Sequence, residues 1–380
     1  MPAWEDRARG TLLGLAWGDV LGCPIEGWRK EDIERVYGAY ATLPEEYPLD
    51  RIQPAREVRR KLRPLGVHSD DTQQALALIA VCLGGPWSPA RWAEWLVVLM
   101  QRGALRGYGR NFQQAVHKLA RGSPPQHSGS SSAGMGAAMR AAPLGAIYRD
   151  RPEELVQVTM ESSLVTHGDL RAAAMAFAVA RTAALLIGGE SAEGVRARLA
   201  DDVTAVELEW SEQHAGWGID RSEKHLVSQE IRTLFAALPP DLATLRATLF
   251  ERAKPHLARG FTKANVNQGF ATLGGLHGLA VALFPEGSPE SLLASIMAQG
   301  EDTDTVGAIA GGLLGARFGI GWIPVDRLRD GPRLGVYADA LVSRDGEPER
   351  RDGFIERERE LTEEEKRFQA EMLAPRSITP

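Results

Sequence analysis

A chain of 380 residues with 44% apolar and 25% charged residues has the composition of one large globular domain or two ordinary ones. Its formal net charge of −6, with no basic run, argues against a protein that binds nucleic acid by neutralising phosphates. Cys23 and Cys82 are too few for a disulfide framework, and no Cys/His cluster has zinc spacing, which fits a reducing, cytoplasmic setting.

In chain order, the polar, mixed-charge start over residues 1–7 is unlike a signal peptide. Gly10, Gly14, Gly18 and Gly22 then punctuate an apolar helical pattern. Glycine inside a helix costs about 0.5–1 kcal/mol relative to alanine, so this spacing predicts close approach to another helix. Residues 39–64, rich in Pro, Glu and Arg, read as a long surface loop or short helix. Next come Ser69-Asp70-Asp71-Thr72, at the mouth of a helix whose buried face recurs at Leu76, Ile79, Ala80 and Leu83. Helical periodicity returns over residues 90–100, 172–187, 223–237 and 292–298, and residues 121–136 have loop composition. Arg181 and His277 interrupt the most apolar runs, so no membrane span is expected.

A second acid cluster, Asp302-Thr303-Asp304-Thr305, opens a helix marked by Val306, Ile309, Ala310, Leu313 and Leu314, with glycines at 307, 311, 312 and 315. No sustained alternation argues for a sheet, and the chain reads as all-α. Residues 347–371 alternate in charge with few apolar anchors. They read as a solvated helix or partly disordered tail, so 1–330 is expected to form the domain and 331–380 a charged extension.

Each acid cluster alone is explained by helix capping, since Ser, Asp and Thr oxygens meet the free N–H groups of a first turn. Two such clusters suggest one site divided over the sequence. Carboxylates crowded into a small volume raise one another's pKa. A hard divalent cation relieves the crowding, because Mg²⁺ and Mn²⁺ take oxygen ligands. Three further features could join them: Glu26 after a glycine-rich helix, the serine- and glycine-rich loop over residues 130–136, and His167. Their bland readings are a solvated acid, a linker and a boundary histidine.

In this order, the motifs resemble those of the ADP-ribosylglycohydrolase family. They are Gly10-Thr11-Leu12-Leu13-Gly14-Leu15-Ala16-Trp17-Gly18-Asp19 leading to Glu26, Ser69-Asp70-Asp71-Thr72, the loop ending Gly134-Met135-Gly136, Thr166-His167, and Asp302-Thr303-Asp304-Thr305. The resemblance implies a compact orthogonal multi-helix bundle around a central binuclear site of two Mg²⁺ or Mn²⁺ ions. It implies Ser69, Asp70, Asp71, Asp302, Asp304 and Thr305 as ligands, and Glu26, Asp302 and Asp304 as catalytic residues. Ser131, Ser132, Gly134, Met135, Gly136 and His167 are the implied substrate contacts. The implied partner is an ADP-ribosylated protein, such as one modified on arginine, or a small ADP-ribosyl conjugate. A monomer is expected, with neither nucleic acid nor membrane as partner.

Two positions depart from the family pattern. Met135 stands where the family usually has Asn, and a thioether cannot donate the amide's hydrogen bond. The expectation is that its side chain packs against the sugar or lines the leaving-group mouth. Glu301 stands where the family usually has Gly, and either adds charge near the metals or projects to solvent.

Overall fold

The computed structural model of the protein describes residues 2–52, 62–257 and 265–373. The part of the 39–64 loop at residues 53–61 lies outside the described residues. The rest is helical, and among the described residues the only β-pairing is three isolated bridges. In chain order the helices are α1 (Trp4–Gly22), α2 (Lys30–Tyr37), α3 (Asp70–Leu83), α4 (Pro89–Gln101), α5 (Arg110–Ala120) and α6 (Ala142–Ile147). They continue with α7 (Pro152–Leu164), α8 (Leu170–Ile187), α9 (Ala192–Glu212), α10 (Leu226–Ala236) and α11 (Leu242–Ala253). The last are α12 (Leu276–Ala282), α13 (Pro289–Met297), α14 (Thr303–Phe318), α15 (Gly331–Ser343) and α16 (Arg351–Leu373).

The glycine spacing does what its cost implies. α1 and α14 run antiparallel with backbone against backbone, Gly10 facing Gly315, Gly14 facing Gly311 and Gly18 facing Gly307. A Cβ at Gly18 would lie 1.9 Å from the Gly307 carbonyl oxygen, and one at Gly22 2.4 Å from the Asp304 nitrogen. No side chain fits there. The pair is buried beneath α8, which is packed by α6, α7, α9 and α14. By length and apolar composition α8 could cross a membrane, but 83% of it is buried inside this bundle.

α16 corrects the expectation of a solvated or disordered tail for residues 351–373. Phe354 and Leu361 are fully buried, and so is the Glu358 carboxylate. Glu358 accepts from Gln73 Nε2 at 2.8 Å, pairs with Arg106 Nη1 at 2.8 Å, and faces His68 Nε2 at 3.4 Å. One turn further, Thr362 Oγ1 donates to the Ala104 carbonyl. Glu365 then faces Arg63 at 3.7 Å. Glu358, Thr362 and Glu365 form a polar stripe one helix face wide, and its counter-charges come from Arg63 and Arg106, distant in sequence, and from Arg333 of α15. The sequence pattern of this stripe is that of a solvent face, because polar residues at helical spacing do not announce buried partners.

Two outcomes follow from the packing. Gly18→Ala should lower stability by about 3 kcal/mol, the upper end of overpacking costs, because backbone rather than a flexible side chain must give way. Chemical denaturation would show it as a reduced midpoint at unchanged slope. Glu358→Ala leaves the buried Arg106 guanidinium without its carboxylate and should cost about 3–5 kcal/mol in the same assay.

Candidate metal centre and ligand cavity

The first acid cluster is set by the start of α3. Ser69 is the N-cap, its backbone extended, and its Oγ accepts from the Asp71 N–H at 3.1 Å while donating to Asp71 Oδ2 at 2.6 Å. A second acid caps the same turn from another helix. Asp19 of α1, fully buried, accepts from the Ser69 N–H at 3.0 Å, the Thr72 N–H at 3.1 Å and the Thr72 hydroxyl at 2.6 Å. A carboxylate there is favoured by the unpaired N–H groups and the positive end of the helix dipole. Sequence reading gave Asp19 only a packing role beside Gly18. The available signal was a charge embedded in the apolar run of residues 11–25.

The second cluster is set by α1 and the turn after it. Thr303 Oγ1 donates to the Gly22 carbonyl at 2.9 Å, which seats the first turn of α14 on the end of α1. The Gly27 N–H donates to the Glu301 carbonyl at 2.7 Å and the Glu301 N–H to Trp28 O at 2.8 Å, tying the Glu26 turn to the acids. The two clusters therefore meet. One oxygen each of Asp19 and Asp304 and the sulfur of Cys23 lie within 4.8 Å of one another.

Their meeting place is a cavity of about 400 Å³. Glu26, Asp70, Asp71, Asp302, Asp304 and Thr305 line it together with Ser132, Gly134, Met135, Gly136 and His167. Two candidates stand apart from the wall: Ser69 is buried beside Asp71, and Ser131 is exposed. The expectation for Met135 needs correction. Its side chain is 2% exposed and turned into the core, where a Cβ at Gly274 would meet its sulfur at 2.6 Å. The thioether fills the gap left by two glycines, Gly274 and Gly275, instead of facing a sugar. Glu301 is half-buried on the cavity rim.

Burial dominates the electrostatics. Asp70 is pushed up to about 7 by desolvation, with Asp19 and Glu26 adding to the shift and Arg63 opposing it. Desolvation and then Asp19 and Asp70 hold Asp71 well above the usual carboxylate range, and Asp304 is raised by desolvation, Glu26 and Asp71. Asp302 rises to about 6 through burial and Glu26. Arg63 pairs with Glu26 at 3.2 Å, and Gln74 Nε2 donates to Asp70 Oδ2 at 2.8 Å. Arg63 and Gln74 were not singled out from the sequence.

The residues suit a hard cation. Asp71 Oδ1 is buried without a hydrogen-bond partner among the described residues, although its other oxygen is bonded. A buried acceptor left unpaired is costly, and here it stands among like charges that a cation would offset. The donors are oxygens. Cys23, raised by burial and Asp19, lies beside Asp19 and Asp304 but off the cavity wall, where the lining donors are oxygens.

An all-helical bundle that gathers carboxylates from two helix starts into one cavity with a glycine- and serine-rich loop has the make-up of a binding site for a small polar ligand. Comparison with known proteins gives the class its family. The ADP-ribosylglycohydrolase family model matches residues 1–351, and the chain belongs to that family. An uncharacterized protein of Archaeoglobus fulgidus is 32% identical over 179 residues; the match covers 46% of this chain and 54% of that protein, about half its length. The ADP-ribosyl-[dinitrogen reductase] glycohydrolase of Rhodospirillum rubrum is 25% identical over 325 residues, covering 85% of this chain and 89% of that one. A solved structure, an ADP-ribosylglycohydrolase-related protein complex, superposes with a TM-score of 0.61 at 23% identity, over 90% of this chain and 99% of the other. That superposition concerns the fold.

The backbone accounts for the family's usual glycine at position 301. Glu301 has φ of +60°, the left-handed region that costs a residue with a Cβ about 1–2 kcal/mol. Glu301→Gly relieves that strain and gives back roughly 0.5–1 kcal/mol through glycine's greater unfolded-state freedom. The substitution should therefore leave the thermal midpoint unchanged or raise it, whereas Glu301→Val should lower it. Differential scanning calorimetry of the two variants would check both directions.

Proposed function

We propose that this chain hydrolyses the glycosidic bond between the anomeric carbon of ADP-ribose and an acceptor, releasing free ADP-ribose. An ADP-ribosylated protein side chain, arginine first, is the acceptor class to test. The observation that carries the reading is the single cavity shared by both acid clusters, Glu26, His167 and the loop at residues 132–136. Family membership supports the reaction type. The name of the R. rubrum relative, a glycohydrolase of an ADP-ribosylated enzyme, supports a protein acceptor.

Ser69, Asp70, Asp71, Asp302, Asp304 and Thr305 would hold one or two Mg²⁺ or Mn²⁺ ions, which supply Lewis acidity and activate water. The remaining work falls to the chain. Asp302 and Asp304 orient the attacking water, and their partly relieved charge steadies the electron-poor sugar centre as the bond breaks. Glu26, its carboxylate fixed by Arg63, is placed at the rim to move a proton to or from the departing group. Gln74 fixes the Asp70 carboxylate. In the same cavity, the N–H groups of Met135 and Gly136 have no backbone acceptor among the described residues and can meet diphosphate or ribose oxygens. Met135 thus contributes backbone, not side chain.

The test is product analysis with the purified protein, Mg²⁺ or Mn²⁺, and a panel of arginine-, serine- and acetyl-linked ADP-ribose. Free ADP-ribose is the expected product. AMP would indicate cleavage of the diphosphate and replace this reading, and no product from any substrate would favour a binding protein. Asp71→Asn and Asp304→Asn keep the shape of the site and remove charge. Each should lower turnover by orders of magnitude with the far-ultraviolet circular dichroism of the wild type retained, and near wild-type turnover in either would refute the assignment.

A further inference from the structure

His167 sits between the ligand wall and a buried hydrogen-bond chain whose Arg140 and Thr166 members have no role in the steps above. Arg140, 1% exposed, donates from Nη1 to the Gln74 amide oxygen and to the Gly136 carbonyl at 2.9 Å. From Nη2 it donates to the Ser162 carbonyl at 3.0 Å and to Thr166 Oγ1 at 2.8 Å. Gln74 in turn holds Asp70. Thr166 Oγ1 lies 2.9 Å from His167 Nδ1. One cation thereby ties the acid cluster to Gly136 and Thr166.

The direction of the last hydrogen bond follows from counting donors and lone pairs. The Thr166 hydroxyl has one hydrogen and two possible recipients, His167 Nδ1 at 2.9 Å and the Ser163 carbonyl at 3.1 Å. The Ser163 carbonyl already accepts the Thr166 N–H at 3.1 Å and the His167 N–H at 2.8 Å, which fills both of its lone pairs. Arg140 occupies a lone pair of the hydroxyl oxygen, so the hydroxyl is already an acceptor toward the arginine. The unfilled demand is at Nδ1. The hydroxyl hydrogen goes there, Nδ1 accepts, and in a neutral ring the proton must reside on Nε2.

We infer that Thr166, oriented by Arg140, fixes His167 as the Nε2–H tautomer and makes the ring a hydrogen-bond donor to a phosphate or hydroxyl oxygen of the bound ligand. Two observations agree. Desolvation, with Arg140 adding to it, holds His167 down at about 3, so the ring is neutral at ordinary pH. The Nε2 edge faces Gly136, where a Cβ would lie 2.9 Å from Nε2 and 2.8 Å from Cε1. Only a glycine leaves that edge open to the cavity. Thr166 and Arg140 act through His167 and are positioning residues.

The ligand in this inference rests on the proposed function; the tautomer does not. Long-range ¹H–¹⁵N spectra of the ligand-free, ¹⁵N-labelled full chain read the tautomer directly, with the His167 signals assigned by their loss in His167→Gln. A pyridine-like Nδ1 and a pyrrole-like Nε2 are expected; a pyrrole-like Nδ1 overturns the inference. Thr166→Val removes the hydroxyl at constant shape and should give a mixture of tautomers, while Thr166→Ser restores the wild-type spectrum. Retention of the Nε2–H form in Thr166→Val overturns the role of Thr166. Calorimetric titration with ADP-ribose should show Thr166→Val weakened roughly fivefold, one net hydrogen bond, and Thr166→Ser unchanged. A lost tautomer with unchanged ADP-ribose affinity overturns the ligand contact and, with it, the placement of ADP-ribose against this wall.

Discussion

Everything at the site hangs on the backbone contact between α1 and α14. Four glycines of one helix lie on the backbone of the other, and this brings the end of α1 against the first turn of α14. Asp19 and Asp304 are consequently neighbours although 285 residues apart in sequence. Asp19 also caps α3, so the same contact sets where Asp70 and Asp71 stand. Three helix ends are indexed to one another, α1 and α14 by a surface without side chains and α3 through the Asp19 carboxylate. A side-chain interface could relax by rotamer changes; the α1–α14 contact has none to change, and the carboxylate geometry inherits that stiffness.

The site is also a balance of buried charge. Carboxylates from α1, α3, α14 and the Glu26 turn crowd one wall, and burial together with mutual repulsion raises Asp70, Asp71, Asp302 and Asp304. Arg63 offsets the cluster only in part, through Glu26, and Arg140 reaches it only through Gln74. Arg63 is shared among Glu26, Glu365 and the Cys23 sulfur, and Arg140 is spent on carbonyls, an amide and a hydroxyl. Neither guanidinium is bonded to Asp71. The unpaired oxygen of Asp71 is thus left for a partner that the chain does not itself provide.

What could be read from sequence and what could not divides along physical lines. The two acid clusters were legible because hydroxyls and carboxylates at a helix start are a local pattern, and Ser69 does cap α3. The glycines were legible because their cost demands an interface. Asp19, Gln74 and Arg140 were not, since the meaning of each lies in a partner far along the chain. The side chain of Met135 was misplaced because motif alignment predicts the backbone path of a loop but not the void, made by Gly274 and Gly275, that the thioether fills. Residues 351–373 were misread as a solvated tail for the same reason: the buried partners of Glu358 are at 68, 73 and 106.

That last helix has a consequence for how the molecule comes into being. Arg106 precedes the wall at residues 107–112, and His68 precedes Ser69, so both sit directly against the future site. Glu358 supplies the buried counter-charge of Arg106 and faces His68. During synthesis these groups emerge from the ribosome long before residues 351–373 do, and until then they remain hydrated. The N-terminal helix likewise waits for α14, nearly three hundred residues later, to cover its glycines. A chain built this way gains part of its buried charge pairing and helix packing only when its last third is made, so these contacts are of high sequence separation.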